Sequence, residues 1–225
     1  MARLVLFDID GTLVNTGGAG RNAFAHTFAV AFQSGDGVRK VNFAGRTDVS
    51  LVRELFGIHG IPATPENFRT FFDHYVFCLD HVMQAAEGNA CRGVCEFIHD
   101  LLLLPEPPML GLLTGNIRLG AEIKLRRYGL WDIFETGGFA DDHEDRNQIA
   151  VAAFERGRLL LGSDLSPKDI IVIGDTPHDV RCAEFIGAKI LAVATGGSKY
   201  HELKPLAPNW LVHDLTEISA REVCL

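Results

Sequence analysis

Leu4-Val5-Leu6-Phe7 is an unbroken apolar run that stops abruptly at Asp8. A continuous run of strand formers, rather than an alternation, predicts a strand buried on both faces, as in a parallel sheet. From Ala19 to Phe32 the spacing becomes helical, with Phe24, Phe28 and Ala31/Phe32 three to four residues apart, until Gly35-Asp36-Gly37 breaks it. A second helix is predicted from Asp48 to Phe56, with Leu51, Val52 and Leu55 on one face. A third begins near Pro65-Glu66, where proline suits a first helical turn. Phe68, Phe71, Phe72, Tyr75, Leu79 and Val82 form its apolar stripe, which reads as core rather than as a ligand platform. Residues 17–87 therefore read as all-helical.

After Gly88 the pattern alternates. Helices are predicted around Gly93–Leu104, Ile117–Tyr128, Asn147–Leu161, from Pro177 to Gly187 with Thr176 as cap, and near Tyr200–Leu206. Strands are predicted at Met109–Leu113, Ile133–Phe139, Ile170–Ile173, Lys189–Ala194 and Trp210–Val212. Such alternation implies an α/β class protein with a parallel sheet and helices on both faces. The helical block interrupts it straight after the first strand. The expected organisation is a core of residues 1–16 and 88–225 with a helical insertion, 17–87.

Composition narrows the function classes. Lys plus Arg total 21 against 29 Asp plus Glu, a net charge of -8. That argues against nucleic acid, whose backbone calls for a basic footprint. No apolar run approaches the roughly 18 residues of a membrane span, and the apolar start is too short for a signal-peptide core. Five scattered cysteines fit reduced thiols of a cytoplasmic protein better than a disulfide framework. Cys91 and Cys95 have no second pair to complete a zinc site.

In open α/β sheets ligands gather at the carboxyl ends of the strands. Three of the predicted strands end in reactive residues: Asp8, Thr114 and Asp175. In Asp8-Ile9-Asp10-Gly11-Thr12-Leu13 the two carboxylates, two residues apart on extended chain, can face one centre. One could act as nucleophile while the other transfers a proton. Leu113-Thr114-Gly115-Asn116 offers a hydroxyl and free N–H groups for an oxyanion or phosphate, although a plain helix cap is spelled the same way. Gly174-Asp175-Thr176-Pro177-His178-Asp179 adds two acids, which would repel Asp8 and Asp10 unless a cation held them together. All-oxygen ligation favours Mg²⁺, whereas Asp179 alone could simply complement its helix dipole.

These segments, spread from residue 8 to residue 179, resemble the motifs of the haloacid dehalogenase superfamily, in particular its phosphatases with a small helical cap after the first strand. Asp8 to Leu13 spells the first motif, Thr114 fits the second and Gly174 to Asp179 the fourth. The resemblance implies a Rossmann-like core and a Mg²⁺-dependent phosphatase acting on a small phosphorylated metabolite, phosphoglycolate phosphatase-like. It gives Asp8 the attack on phosphorus and Asp10 the proton transfers. It places Mg²⁺ on the Asp8 carboxylate, the Asp10 carbonyl and Asp175, with Asp179 in support directly or through water. Thr114 and Gly115 would bind phosphoryl oxygens. The third motif, a Lys or Arg, lacks its common lysine-proline spelling. Arg146 lies at a suitable distance before Asp175 and is preferred to Lys124, which falls early, inside the helix after Thr114. Gly17-Gly18 and Glu87-Gly88 read as hinges of the cap. Gly45-Arg46-Thr47-Asp48 resembles a cap substrate loop, so Arg46 either contacts the substrate's distal group or pairs with Asp48. The Asp141-Asp142-His143-Glu144-Asp145 run reads as a solvated loop, and His143 and His178 carry no catalytic expectation.

Alternatives differ in chemistry. A phosphoglucomutase would return the phosphoryl group to a sugar. A phosphonate hydrolase would need a cap lysine, and Lys40 is the only one. A phospho-accepting regulatory module combines similar residues, but at about half this length and without an insertion after the first strand.

Overall fold

The computed structural model describes residues 1–34 and 37–225. Of the expected Gly35-Asp36-Gly37 break, Gly35 and Asp36 lie outside the described residues. The first strand, β1 (Leu4–Phe7), is completely buried and sits at the centre of a parallel six-stranded sheet. Its neighbours are β4 (Met109–Leu113) and β6 (Ile170–Gly174). β5 (Thr136–Gly138) flanks β4, while β7 (Lys189–Val193) and β8 (Trp210–Val212) extend the other side, giving the order β5-β4-β1-β6-β7-β8. The chain order reverses at β1, so the sheet opens its crevice at the carboxyl end of that strand.

Alternate residues of the strands feed two apolar layers, as period-two geometry requires. Val5, Phe7, Leu112 and Ile173 pack with Val94, Phe97 and Leu101 of α4 (Val94–Leu102), Leu125 of α5 (Arg118–Arg127) and Val223 of α9 (Ala220–Cys224). Leu4, Leu6, Leu113 and Val172 pack on the other side with Ile149 and Ala153 of α6 (Arg146–Leu161) and with Val180 and Ala183 of α7 (Pro177–Ile186). A short α8 (Tyr200–Leu203) runs on into a 3-10 turn at Lys204–Leu206.

Between β1 and β4 the chain builds α1 (Ala19–Phe32), α2 (Asp48–His59) and α3 (Pro65–Gln84). Thr47 and Thr64 start α2 and α3 by accepting from Ser50 N and Asn67 N, each at 3.2 Å. Their apolar faces meet in an aromatic cluster of Phe24, Phe28, Phe56, Phe71 and Tyr75, all fully buried. Ring centroids lie 4.8 Å apart for Phe24–Tyr75 and 5.0 Å for Phe28–Phe71. Each such ring contributes roughly 1.5–3 kcal/mol by leaving water. The crossings into and out of this unit pair with each other as β2 (Val14–Asn15) and β3 (Asn89–Ala90). Ile117 and Ala140, from the strand-end loops below, pack into the same aromatic cluster.

The structure corrects three expectations of detail. The strand expected at Ile133–Phe139 is only Thr136–Gly138, because Trp131–Ile133 is a 3-10 turn and the Phe139 N–H is taken by the Asp142 carboxylate, 3.0 Å. The helix expected to reach Leu104 ends at Leu102. The one-turn α9, capped by Ser219, had no counterpart in the pattern. Among the described residues no helix is long and apolar enough to cross a membrane.

Candidate active site

Register brings the reactive strand ends level. Phe7 is opposite Leu112 and Ile173, so Asp8, Thr114 and Asp175 follow at the same edge. Asp8 N donates to Ile173 O at 2.9 Å, and Thr114 N to Gly138 O at 3.1 Å. Asp8, Thr114 and Asp175 are all buried. Gly11 then turns the chain with φ 87°, and a Cβ there would stand 2.6 Å from Asp175 Oδ2, so the turn needs glycine twice over. Thr12 Oγ1 donates to Asp175 Oδ1 at 3.0 Å and Gly197 N donates to Asp175 Oδ2. Thr195 Oγ1 closes this floor on Gly11 O at 2.6 Å.

Two buried cations hold the acids, each a different set. Arg146 starts α6 behind its cap Asp145, forms an ion pair with Asp8 Oδ1 at 2.9 Å and donates to Asp179 Oδ1 at 2.5 Å. It also reaches Leu113 O and Gly45 O, each at 3.3 Å. Asp179 Oδ2 accepts from Thr176 N at 2.9 Å and Thr176 Oγ1 at 2.8 Å, the capping box of α7. Lys124 Nζ donates to Asp10 Oδ2 and Asn116 Oδ1, both at 2.6 Å. Asn116 Nδ2 also donates to Asp10 Oδ2, 2.8 Å, and to Thr114 Oγ1, 2.9 Å. Asp10 itself stays accessible, its side chain 44% exposed, as a group that meets a ligand must be.

Burial sets the electrostatics. It pushes the Asp8 carboxyl up to about 6, with the Arg146 charge opposing and those of Asp179 and Asp10 adding to it. The Asp175 carboxyl is raised for the same first reason, with Asp179 and Asp8 next. Burial alone would lower the Arg146 pKa, but the facing Asp179 and Asp8 charges reverse this and hold it firmly protonated. Asp8, Asp175 and Asp179 each offer an oxygen within 4.8 Å of the others. Three mutually repelling carboxylates, all-oxygen and above a floor of glycines, fit a hard divalent cation.

Asp8, Asp10, Thr114, Gly115, Arg146 and Asp175 thus line one cleft, with Asp179 buried behind Arg146. Lys124 lines it as well: the two cations weighed as rivals occupy separate places, Arg146 against Asp8 and Lys124 against Asp10. Arg46 is at the cleft, but its expected pairing with Asp48 does not occur. Its guanidinium pairs with Glu54 and reaches Ser50 O at 3.3 Å. Asp48 is turned inward because Ile117 N, at the start of α5, donates to its Oδ2 at 2.8 Å. Its own N–H donates to Gly115 O at 2.7 Å. Gly115 must be glycine, since a Cβ would meet the carbonyl carbon of Arg46 at 2.9 Å.

The acidic run is solvated at Asp141, His143 and Asp145, which are exposed, but its other two acids are paired. Asp142 pairs with Arg156 at 2.6 Å, and Glu144 with Arg53 of α2 at 2.7 Å, while Glu144 O accepts from Thr47 Oγ1 at 2.9 Å. Through Glu144 this loop also ties the helical unit to the sheet. The residues that sequence reasoning missed are Asn116, Asp48, Thr12 and the Thr195–Gly197 loop. The last had a readable signal, because Thr195-Gly196-Gly197 follows β7 as Thr114-Gly115 follows β4.

Asp48 yields a pH prediction. Burial pushes its carboxyl up to about 7, against the facing Lys124 charge and the Ile117 N–H, with Asp10 and Asp141 adding to the rise. The folded protein therefore holds an extra proton between the ordinary 3.8 and about 7. The stability that this proton brings is complete at the acid end and falls as pH rises through that window, by on the order of 4 kcal/mol. Asp48→Asn keeps an acceptor for Ile117 N without the charge. Thermal melts should show it flatter with pH than the wild type and more stable at pH 8; lower stability at pH 8 would show that the ionised carboxylate is the form that holds the loop.

Residues 5–193 match the family model of the haloacid dehalogenase-like hydrolases. "Probable phosphatase IndB" of Dickeya dadantii is 26% identical over 224 residues, covering 97% of this chain and 92% of that protein. Pyrophosphatase PpaX of Oceanobacillus iheyensis is 24% identical over 226 residues, covering 96% and 94%. Among solved structures, CbbY from Rhodobacter sphaeroides in complex with phosphate superposes with a TM-score of 0.75 at 19% identity, covering 96% of each chain. The chain belongs to the haloacid dehalogenase-like hydrolase family. It is a phosphatase of that family.

Proposed function

We propose that this phosphatase is Mg²⁺-dependent and hydrolyses a small phosphorylated metabolite through an aspartyl-phosphate on Asp8, in the manner of a phosphoglycolate phosphatase. The observation that carries this is the division of labour at the end of β1. Asp8 is buried against Arg146, while Asp10, two residues on, is exposed and held by Lys124 and Asn116. An Asp8 carboxylate oxygen attacks phosphorus, and the bond to the ester oxygen breaks as Asp10 gives that oxygen its proton. Asp10 then takes a proton from water, whose oxygen attacks the same phosphorus and frees inorganic phosphate and the Asp8 carboxylate. Lys124 and Asn116 fix Asp10 Oδ2, which sets the direction of its other oxygen.

Thr114 Oγ1 accepts from Asn116, so its own O–H is left to donate to a phosphoryl oxygen beside Gly115 N. Mg²⁺ would be held by the Asp8 carboxylate, the Asp10 carbonyl and Asp175, and would supply charge neutralisation between two anions. Asp179, whose oxygens are also held by Arg146 and Thr176, would support the ion directly or through water. Arg146 serves as the third-motif cation.

A cleft of about 330 Å³ suits a small ester, near the lower end for ligand sites. Residues 17–87 act as its cap and residues 1–16 and 88–225 as the catalytic unit, with Gly17-Gly18 and Glu87-Gly88 as hinges. Gly17 and Gly18, both at positive φ, support that reading. The acidic composition and five unpaired cysteines suit the cytoplasm.

Phosphate release from a panel of phosphorylated metabolites tests it. Chelator should lower turnover about 100-fold or more, the scale of losing several kcal/mol of charge stabilisation, and added Mg²⁺ should restore it. Full activity in chelator would remove the metal from the mechanism.

A further inference from the structure

Four cationic side chains line the cleft, and three have carboxylate partners: Arg146 with Asp8 and Asp179, Lys124 with Asp10, and Arg46 with Glu54. The fourth is Arg21, near the start of α1. Among the described residues it forms no salt bridge or side-chain hydrogen bond. Its guanidinium lies over the Phe43 ring, 5.0 Å from the centroid. A guanidinium resting on an aromatic face is held in place while its N–H edge stays free.

Tyr75 lines the same cleft. It is fully buried, its ring packed on Phe24 and Phe71, and among the described residues its hydroxyl has no hydrogen-bond partner. Buried hydroxyls are rarely left unpaired, because the loss of water has to be made good. A cation and a buried hydroxyl, both without a protein partner among the described residues, line one cleft with Phe24 and Phe43, and one anionic guest would satisfy both.

We propose that Arg21 and Tyr75 form a distal acid-recognising subsite, so that the preferred substrates are small phosphomonoesters bearing a second anionic group. This deepens the phosphatase reading and rests on it. Arg21 takes two oxygens of the second acid through its N–H edge, and Tyr75 donates to an acceptor on the same guest. The expected role of Arg46 at the distal end passes to Arg21, which among the described residues is the one cleft cation that no protein acid pairs with.

The test is calorimetric binding to the Asp8→Asn protein with Mg²⁺, using matched pairs that differ by the acid. These are 2-phosphoglycolate against ethyl phosphate, 3-phosphoglycerate against glycerol 3-phosphate, and 1,3-propanediol bisphosphate against 3-hydroxypropyl phosphate. The first two pairs report a carboxylate and the third a second phosphate. In at least one pair the acid-bearing member should bind about 10- to 100-fold more tightly, the range for hydrogen bonds to a charged group. Adding Arg21→Gln should cut that preference to about twofold. Adding Tyr75→Phe should weaken the acid-bearing member several-fold without lowering Tm, since it removes only an unpaired hydroxyl. Equal affinities within every pair, or a preference that survives Arg21→Gln, would overturn the subsite; unchanged affinity in Tyr75→Phe would remove Tyr75 from it. Wild-type turnover of the same esters separates the two readings. Tight, acid-selective binding without hydrolysis would uphold the subsite and sink the phosphatase mechanism. Hydrolysis without selectivity would do the reverse.

Discussion

Asp8→Asn should fold normally and lose turnover by roughly 10⁴-fold or more, the scale seen when a covalent nucleophile is removed. The carboxamide has nearly the shape of the carboxylate, so the end of β1 and the packing around it are undisturbed. The amide also removes a charge that burial disfavours, since the Asp8 carboxyl is already pushed up to about 6. In chelator the variant should therefore melt no lower than the wild type. Arg146 loses one partner but keeps Asp179. What disappears is the oxygen anion that must bond to phosphorus, and Asp10 cannot replace it because Lys124 and Asn116 hold it as the proton carrier. Phosphate release, with intact mass of the enzyme trapped during turnover, checks this. The wild type should carry a phosphoryl adduct and the variant none. Equal release by both would mean that water attacks the ester directly and that Asp8 serves only to bind metal.

The frame of this molecule was legible because its strands are buried on both faces. Leu4–Phe7, Met109–Leu113 and Ile170–Gly174 are near-continuous apolar runs, and each ends at its reactive residue. Their meeting at one edge follows from parallel pairing in step, which alternation with helices already implied. Lys124 was not legible in the same way. A lysine seven residues into a helix spells a solvated face, and its burial depends on partners that no local pattern reveals, Asp10 and Asn116. There Gly20 of α1 leaves room, a Cβ at that position standing only 3.3 Å from Lys124 Nζ. Asp48 looked like an ordinary first-turn acid of α2. Its real partner is Ile117 N, 69 residues away, which no local pattern reveals. Arg46 misled for the converse reason: the i, i+2 neighbour Asp48 was near in sequence, whereas Glu54, two helical turns on, faces it. β5 was overextended because Ile133, Phe134 and Phe139 are apolar, but all three lie outside the ladder and pack on the core from its flanks.

The largest stability effect belongs to Arg146. It is 6% exposed, and it bridges Asp8 and Asp179 where Asp175 also lies within 4.8 Å. Arg146→Met keeps much of the apolar stem and deletes the charge. Removing one partner of a buried ion pair typically costs about 3–5 kcal/mol, because the remaining charge is left without compensation. Three clustered carboxylates should put this variant at the upper end in metal-free buffer. A divalent cation on Asp8 and Asp175 would relieve part of that repulsion, so millimolar Mg²⁺ should raise the Tm of Arg146→Met by more than that of the wild type, as binding to the folded state alone requires. Turnover should fall about 100-fold or more even with Mg²⁺ present, since Asp8 loses the group that orients it. Arg146→Lys should fall between: an ammonium can meet Asp8 and Asp179, but it loses the fork that also reaches Leu113 O and Gly45 O. Chemical denaturation of the three proteins with and without Mg²⁺ makes the comparison. If Arg146→Met were as stable as the wild type in chelator, the carboxylates around it would have to be protonated when the metal is absent, and the task of Arg146 would be confined to the loaded enzyme.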